Sequence, residues 1–331
     1  MRVSRAKLIE LARKEAERRA ALDGGLLSGY LIGSVASGEP LLGDAADIDL
    51  VLVHDGEPVS EHEVVALSDH IHFDIQHHPR RIYAQPPQLR VHPWLGPALC
   101  APVFLYDPTH FFERAQAGAR GQFHRPDYVR ARAQAFLEQA RRLDRSRIEA
   151  DGWIEDYLAA VLDGANAAGT LAGFPAAGRR VALGLQSRAE ELGRPEIYGG
   201  FLRLIGAEDV SREDVAGWIS SLARIYDGVS TTSSEPLLSP ARRAYYLGGL
   251  QALVEASQPE ATIWPLLHLW ARCLRAQDNA SAPRASEAEW NAARARLGLS
   301  PGEAALRADQ LETYLDHVEA VIEEWADRHG A

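Results

Sequence analysis

Apolar and polar positions alternate along the chain with two different periods, and the change of period divides it in two. Leu8, Ile9, Leu11, Ala12, Ala16 and Ala20 recur at near-helical spacing, which predicts a helix from residue 4 to about Leu22. Asp23-Gly24-Gly25 ends it. Leu26 to Ile32 is a short apolar run and predicts a buried strand that stops at Gly33-Ser34. Residues 38–46 predict a loop after a short helical turn. Ile48 to Val53 predicts a second strand. Ser60 to Ser68 is read as a short helix. His70 to His77 alternates strictly, which predicts a half-exposed third strand. Its apolar side (Ile71, Phe73, Ile75) should face a core and its polar side (His70, His72, Asp74, Gln76) a cleft or water. Residues 83–97 carry four prolines and read as an extended loop. Val103 to Tyr106 predicts a fourth strand, closed by Asp107-Pro108.

From about Tyr128 the period is helical to the end, broken by Gly and Pro near 173–178, 193–195, 206, 235–240, 258–259, 278–283 and 298–302. The stretch 277–287 is the best candidate for a mobile loop. The chain has 331 residues, enough for two domains. The expectation is an α+β protein. A small α/β domain at about 1–120, with a mixed sheet of four or five strands, precedes an all-helical domain at about 121–331.

Composition narrows the function classes. No apolar run approaches the roughly 20 residues that span a bilayer, and the N-terminal segment lacks the pattern of a signal peptide, so a cytoplasmic protein is expected. Cys100 and Cys273 lie far apart and form no ligand pair; buried free thiols are the plain reading. The net charge of −11 argues against broad binding to nucleic acid, and suits a cationic small molecule. Lysine occurs only at Lys7 and Lys14. Any cationic phosphate clamp beyond residue 14 must therefore be arginine or histidine.

One constellation carries chemistry. Gly33 has no Cβ, so the chain can turn sharply at a strand end and approach a phosphate closely. Ser34 adds a hydroxyl. Asp47 and Asp49 are two apart at a strand start and project to one face. Asp74 lies on the polar side of the next predicted strand. If those strands are neighbours, three carboxylates converge, an arrangement that repels itself without cations. Such oxygen ligands suit Mg2+ or Mn2+ rather than zinc. Taken singly, each residue could equally be a plain turn, a strand cap or a solvated side chain.

Gly33-Ser34, twelve residues, Asp47-Ile48-Asp49-Leu50 and a later apolar-Asp-apolar strand together resemble the DNA polymerase beta nucleotidyltransferase superfamily. The domain order is similar to aminoglycoside and lincosamide nucleotidyltransferases. The resemblance covers about residues 25–110 well and the helical half in outline. It implies that Gly33 and Ser34 bind phosphate, that Asp47, Asp49 and Asp74 hold two Mg2+ ions, and that ATP or another NTP is the donor. It further implies a small-molecule hydroxyl acceptor, such as an aminoglycoside-like antibiotic. A toxin-type enzyme acting on tRNA or a protein, and a non-catalytic nucleotide-binding regulator, are the competing readings.

Family members acting on small molecules use a general base, often a carboxylate of the helical domain. Glu155 and Asp156, at the start of a helix, are candidates, with Asp74 as the alternative; acids that favour the helix dipole explain the same pattern. Arg141, Arg142, Arg145 and Arg147 are candidates to replace a lysine that one branch of the family places at the nucleotide. Six of the twelve histidines fall between 54 and 78. His72 could contact phosphate or shuttle a proton, whereas His70, His77 and His78 read as a polar sheet face. Trp153, Trp218, Trp264 and Trp270 read as core.

Overall fold

The computed structural model describes residues 4–39, 41–148, 152–279 and 287–331. The expected mobile loop at 277–287 falls mainly on 280–286, outside the described residues. The chain forms two compact units. The first comprises Met1–His124 and Ala241–Gly248, the second Arg125–Pro240 and Gly249–Ala331. The fold is α+β, with one mixed five-stranded sheet and a C-terminal helical region.

The first unit opens with α1 (Arg5–Leu22), whose first turn is capped by the Ser4 side chain accepting from the Lys7 amide. It continues through β1 (Leu26–Leu31), α2 (Gly33–Ser37), β2 (Ala46–His54), β3 (His62–Ser68) and β4 (Ile71–Pro79). Two short helices, α3 (Pro86–Val91) and α4 (Leu95–Ala98), then β5 (Val103–Tyr106) and α5 (Phe111–Arg120) follow. The strand order is β3-β4-β2-β1-β5. Only β2 and β4 pair in parallel; every other pair is antiparallel.

Each face of this sheet has its own core. Ile48, Leu50 and Leu52 of β2 and Phe73 and Ile75 of β4 pack on Leu8, Ala12 and Ala16 of α1. Val51 and Val53 of β2 join Phe112, Ala115 and Ala119 of α5 and Leu89 of α3 on the other face. The period of two therefore sends Asp47 and Asp49 to the α5 side, at the end of β2 that α5 does not fill.

Three expectations need correction. Ser60 to Ser68 is no helix: His62–Ser68 is the edge strand β3, antiparallel to β4. Val64-Val65 is β-branched, and only Asp69 and His70 separate β3 from β4, so a hairpin wins over an isolated short helix. Residues 83–97 are not extended: Pro86 and Pro87 open α3, at positions where no N–H is needed, and a second short helix, α4, follows at Leu95–Ala98. The third strand is not half-exposed. Flanked by β2 and β3, β4 is an interior strand, and its polar face is largely buried. His70 lies outside it, exposed in the turn.

His77 and His78 do not form a solvated polar face. His77 sits on the α1 side, with Nδ1 2.9 Å from His54 Nε2 and Nε2 2.8 Å from Glu63. On the α5 side, His78 Nδ1 lies 2.7 Å from the Tyr83 hydroxyl, itself 2.6 Å from that of Tyr30.

The second unit is built round α7 (Trp153–Gly169), apolar on nearly all sides and buried accordingly. It packs with α6 (Pro126–Ala140), α8 (Val181–Leu192), α9 (Pro195–Leu204), α12 (Ile263–Asn279) and α14 (Ala304–His329). Polar side chains stitch the core: Tyr157 donates to the Leu204 carbonyl at 2.9 Å and Trp264 to the Leu158 carbonyl at 2.9 Å. Trp153, Trp264 and Trp270 are core residues; Trp218 is half-buried. The arginines considered as a nucleotide clamp have partners within this unit. Arg141 pairs with Glu312, Asp316 and Glu319, Arg145 with Asp309, and Arg147 approaches Asp156 at 3.8 Å. Arg142 donates to Gln139. Both cysteines are buried, and neither is in a disulfide. Among the described residues, no helix is long and apolar enough to cross a membrane.

Burial pushes His78 down to about 4 from an ordinary value of 6.5. The unfolded chain then binds the extra proton first, so this contribution is complete above pH 6.5 and is lost as pH falls toward 4. Thermal unfolding midpoints of wild type and His78→Gln, followed from pH 7 to 4, should show a shallower acid loss in the variant; parallel curves would contradict the assignment.

Candidate metal centre

The site begins with register. In the parallel β2–β4 pair, Asp49 stands opposite Asp74 and Asp47 opposite His72. Directly paired residues point to the same face, so three carboxylates meet on the α5 side. Their ligand oxygens all lie within 4.8 Å of one another, and they form the one such group among the described residues. Asp47 and Asp74 are buried at 6% and 8% exposure, with Asp49 half-buried.

Gly33 closes one side. Its backbone is left-handed (φ +70°), and a Cβ there would overlap the Asp49 carboxylate. The Ile32 amide donates to the Asp49 carbonyl at 3.1 Å, which ties this turn to β2 beside the acid. Ser34 follows at partial exposure. The structure thus brings Gly33, Ser34, Asp47, Asp49 and Asp74 into one neighbourhood.

Two cations or potential cations contact the acids. Asp74 Oδ1 is met by His62 Nε2 and Asp74 Oδ2 by Arg242 Nη2, both at very short range. Arg242 Nη2 also lies 3.9 Å from Asp47 Oδ2. Arg242 belongs to the Ala241–Gly248 segment of the first unit and is only 4% exposed. Burial works against its charge, but Tyr246, Asp47, Tyr245 and Asp49 offset this and hold it above its ordinary value. His62 is shifted down, by burial first and by Arg242 second, with Asp47 and Glu63 opposing.

The polar face of β4 is therefore covered rather than solvated. His72 is 1% exposed and meets the Tyr245 ring edge-on at 5.5 Å. Its Nε2 lies 3.1 Å from Asp47 Oδ1, yet outside hydrogen-bonding geometry: Asp47 Oδ1 and both His72 ring nitrogens lack hydrogen-bond partners. An orphaned buried carboxylate oxygen is costly, and hard oxygen donors this close fit a small divalent cation.

No known family model and no curated protein sequence matches this chain.

Glu155 belongs to the second unit. There it accepts from Arg275 at 2.9 Å and lies 3.5 Å from Arg272, two arginines it shares with Glu235. Burial raises Glu155, with Arg275 opposing. Asp156 is exposed.

Sequence reasoning missed His62 and Arg242. The first was hidden by reading Ser60–Ser68 as a helix. The second lies 168 residues from Asp74; the only signal toward it was that a clamp beyond residue 14 must be arginine or histidine.

A left-handed residue other than glycine costs about 1–3 kcal/mol, and here the methyl would also meet Asp49. Gly33→Ala should therefore lose at least that much stability in urea unfolding. It should also weaken Mn2+ binding about tenfold or more by displacing Asp49. Unchanged stability and affinity would contradict the described turn.

Proposed function

We propose that this protein is a Mg2+-dependent nucleotidyltransferase. It would move a nucleoside monophosphate, AMP from ATP or the equivalent from another NTP, to a hydroxyl of a small molecule, with release of pyrophosphate. The observation that carries this reading is the meeting of Asp47, Asp49 and Asp74 from two paired parallel strands beside the Gly33-Ser34 turn.

The residues present suit two divalent ions and a triphosphate. Asp47 Oδ1 is buried without a hydrogen-bond partner, and Gly33 packs so closely on Asp49 that a Cβ there would overlap its carboxylate. Bound divalent ions supply positive charge to the attacking and leaving oxygens. The chain's own residues do the rest. Asp47 and Asp49 on β2 and Asp74 on β4 would hold the ions. Gly33 lets the backbone approach a phosphate, and Ser34 offers it a hydroxyl. Glu155 remains the candidate general base; its raised affinity for protons suits proton uptake nearer neutral pH than an exposed glutamate allows. The acidic net charge suits a cationic acceptor such as an aminoglycoside. The reading implies a cytoplasmic setting, where Mg2+ and NTPs occur together.

The test is incubation with ATP labelled at the α-phosphate, Mg2+ and a panel of hydroxylated acceptors, cationic ones included. Label should pass to at least one acceptor with equimolar pyrophosphate, and Asp47→Asn should abolish the transfer while the protein stays folded. No transfer to any acceptor together with no Mg-NTP binding would sink the proposal. Transfer that survives Asp47→Asn would remove the acids from the reaction.

A further inference from the structure

Both oxygens of Asp74 are already occupied within the first unit, Oδ1 by His62 and Oδ2 by Arg242. The Arg242 guanidinium occupies the place a cation would take, between Asp74 and Asp47. Nη1 donates to the Tyr246 hydroxyl at 3.0 Å, and the Tyr246 ring lies 5.9 Å from Cζ. This resting arrangement is incomplete. Arg242 Nε is buried without a hydrogen-bond partner, and so is Asp47 Oδ1. Each unmade bond costs free energy, and one guanidinium stands against three carboxylates. Among these four side chains negative charge is in excess, which favours a cation of higher charge than a guanidinium.

A guanidinium cannot leave by losing its proton. Nor can it stay on Asp74 beside a divalent ion without strong repulsion, because charges a few ångströms apart in a buried site are poorly screened. It can move, since it ends a long side chain on the short 3-10 turn Pro240–Arg242 that precedes α11 (Arg243–Glu255). We infer that Arg242 is the resident counter-ion of the Asp47–Asp49–Asp74 site and that a divalent cation displaces its guanidinium from Asp74. Metal loading and the Arg242–Asp74 pair then exclude each other. The inference rests on reading the three acids as a metal centre. Competition with Arg242 sets the apparent metal affinity of the ligand-free protein. The same pair keeps the acids from repelling one another when no ion is bound.

The experiment is a Mn2+ titration without nucleotide, followed by the electron paramagnetic resonance signal of free Mn2+, on wild type and Arg242→Met. Methionine keeps much of the apolar stem against Tyr246 and removes the charge. The variant should bind Mn2+ about tenfold tighter or more. It should also unfold at lower temperature than wild type without Mn2+ and gain more from saturating Mn2+. Equal or weaker binding by the variant overturns the inference and leaves the metal centre standing. Absence of Mn2+ binding in both proteins overturns the metal centre and the inference with it. A purely structural role for Arg242 predicts the same Mn2+-induced stabilisation in both proteins. If Arg242→Met does not fold, Arg242→Lys carries the test, because its compact ammonium lacks the fork that reaches both acids. Tighter Mn2+ binding than wild type supports the inference, and equal binding overturns it.

Discussion

Carboxylates with ligand oxygens within 4.8 Å of one another repel by about 3–4 kcal/mol per pair at an effective dielectric near 20. Much of the first unit can be understood as the means of holding three of them there. Hydrogen bonding between β2 and β4 fixes Asp49 opposite Asp74, so the acids cannot separate without breaking the ladder. Arg242 and His62 are the local answer to the charge, one on each oxygen of Asp74. Asp47 Oδ1 is left without a hydrogen-bond partner, and on the proposed reading that remainder is what would draw a cation.

The scaffold explains why the acids sit where they do. β3 returns along the outer edge of β4, so β2 and β4 can run parallel as neighbours and begin at the same end of the sheet. Further along the same face, Val51 and Val53 are sealed by α5, which leaves the start of the strands to polar chemistry. The left-handed turn at Gly33 lies against Asp49 where a side chain would not fit.

The legible parts of this arrangement were the local ones. Asp47-Ile48-Asp49 declares its face through a period of two, and Gly33 ends an apolar run that is plainly a strand. Asp74 was readable because Phe73 and Ile75 flank it with core residues. The misread parts depended on partners remote in sequence. Val64-Val65-Ala66-Leu67 shows no alternation, because β3 is an edge strand with neither face sealed, and so His62 could not be placed. With β3 paired, Val64 stands opposite Asp74, and His62, two residues away, shares the site's face. The alternating pattern puts His72 on a strand face toward a cleft or water, as a phosphate contact or proton shuttle; it is buried instead, against Tyr245 on a segment that returns from far along the chain. Arg242 carries no local mark at all among so many arginines.

The central claim, that Asp47, Asp49 and Asp74 form a divalent metal centre, is tested most directly by anomalous diffraction. Crystals of the wild type grown with Mn2+ and a non-hydrolysable ATP analogue would provide the data. The account predicts an anomalous peak at about 2.1 Å from oxygens of all three carboxylates, with phosphate density beside Gly33 and Ser34. A map with no peak among the three acids, and the Arg242 guanidinium still seated on Asp74, would contradict it.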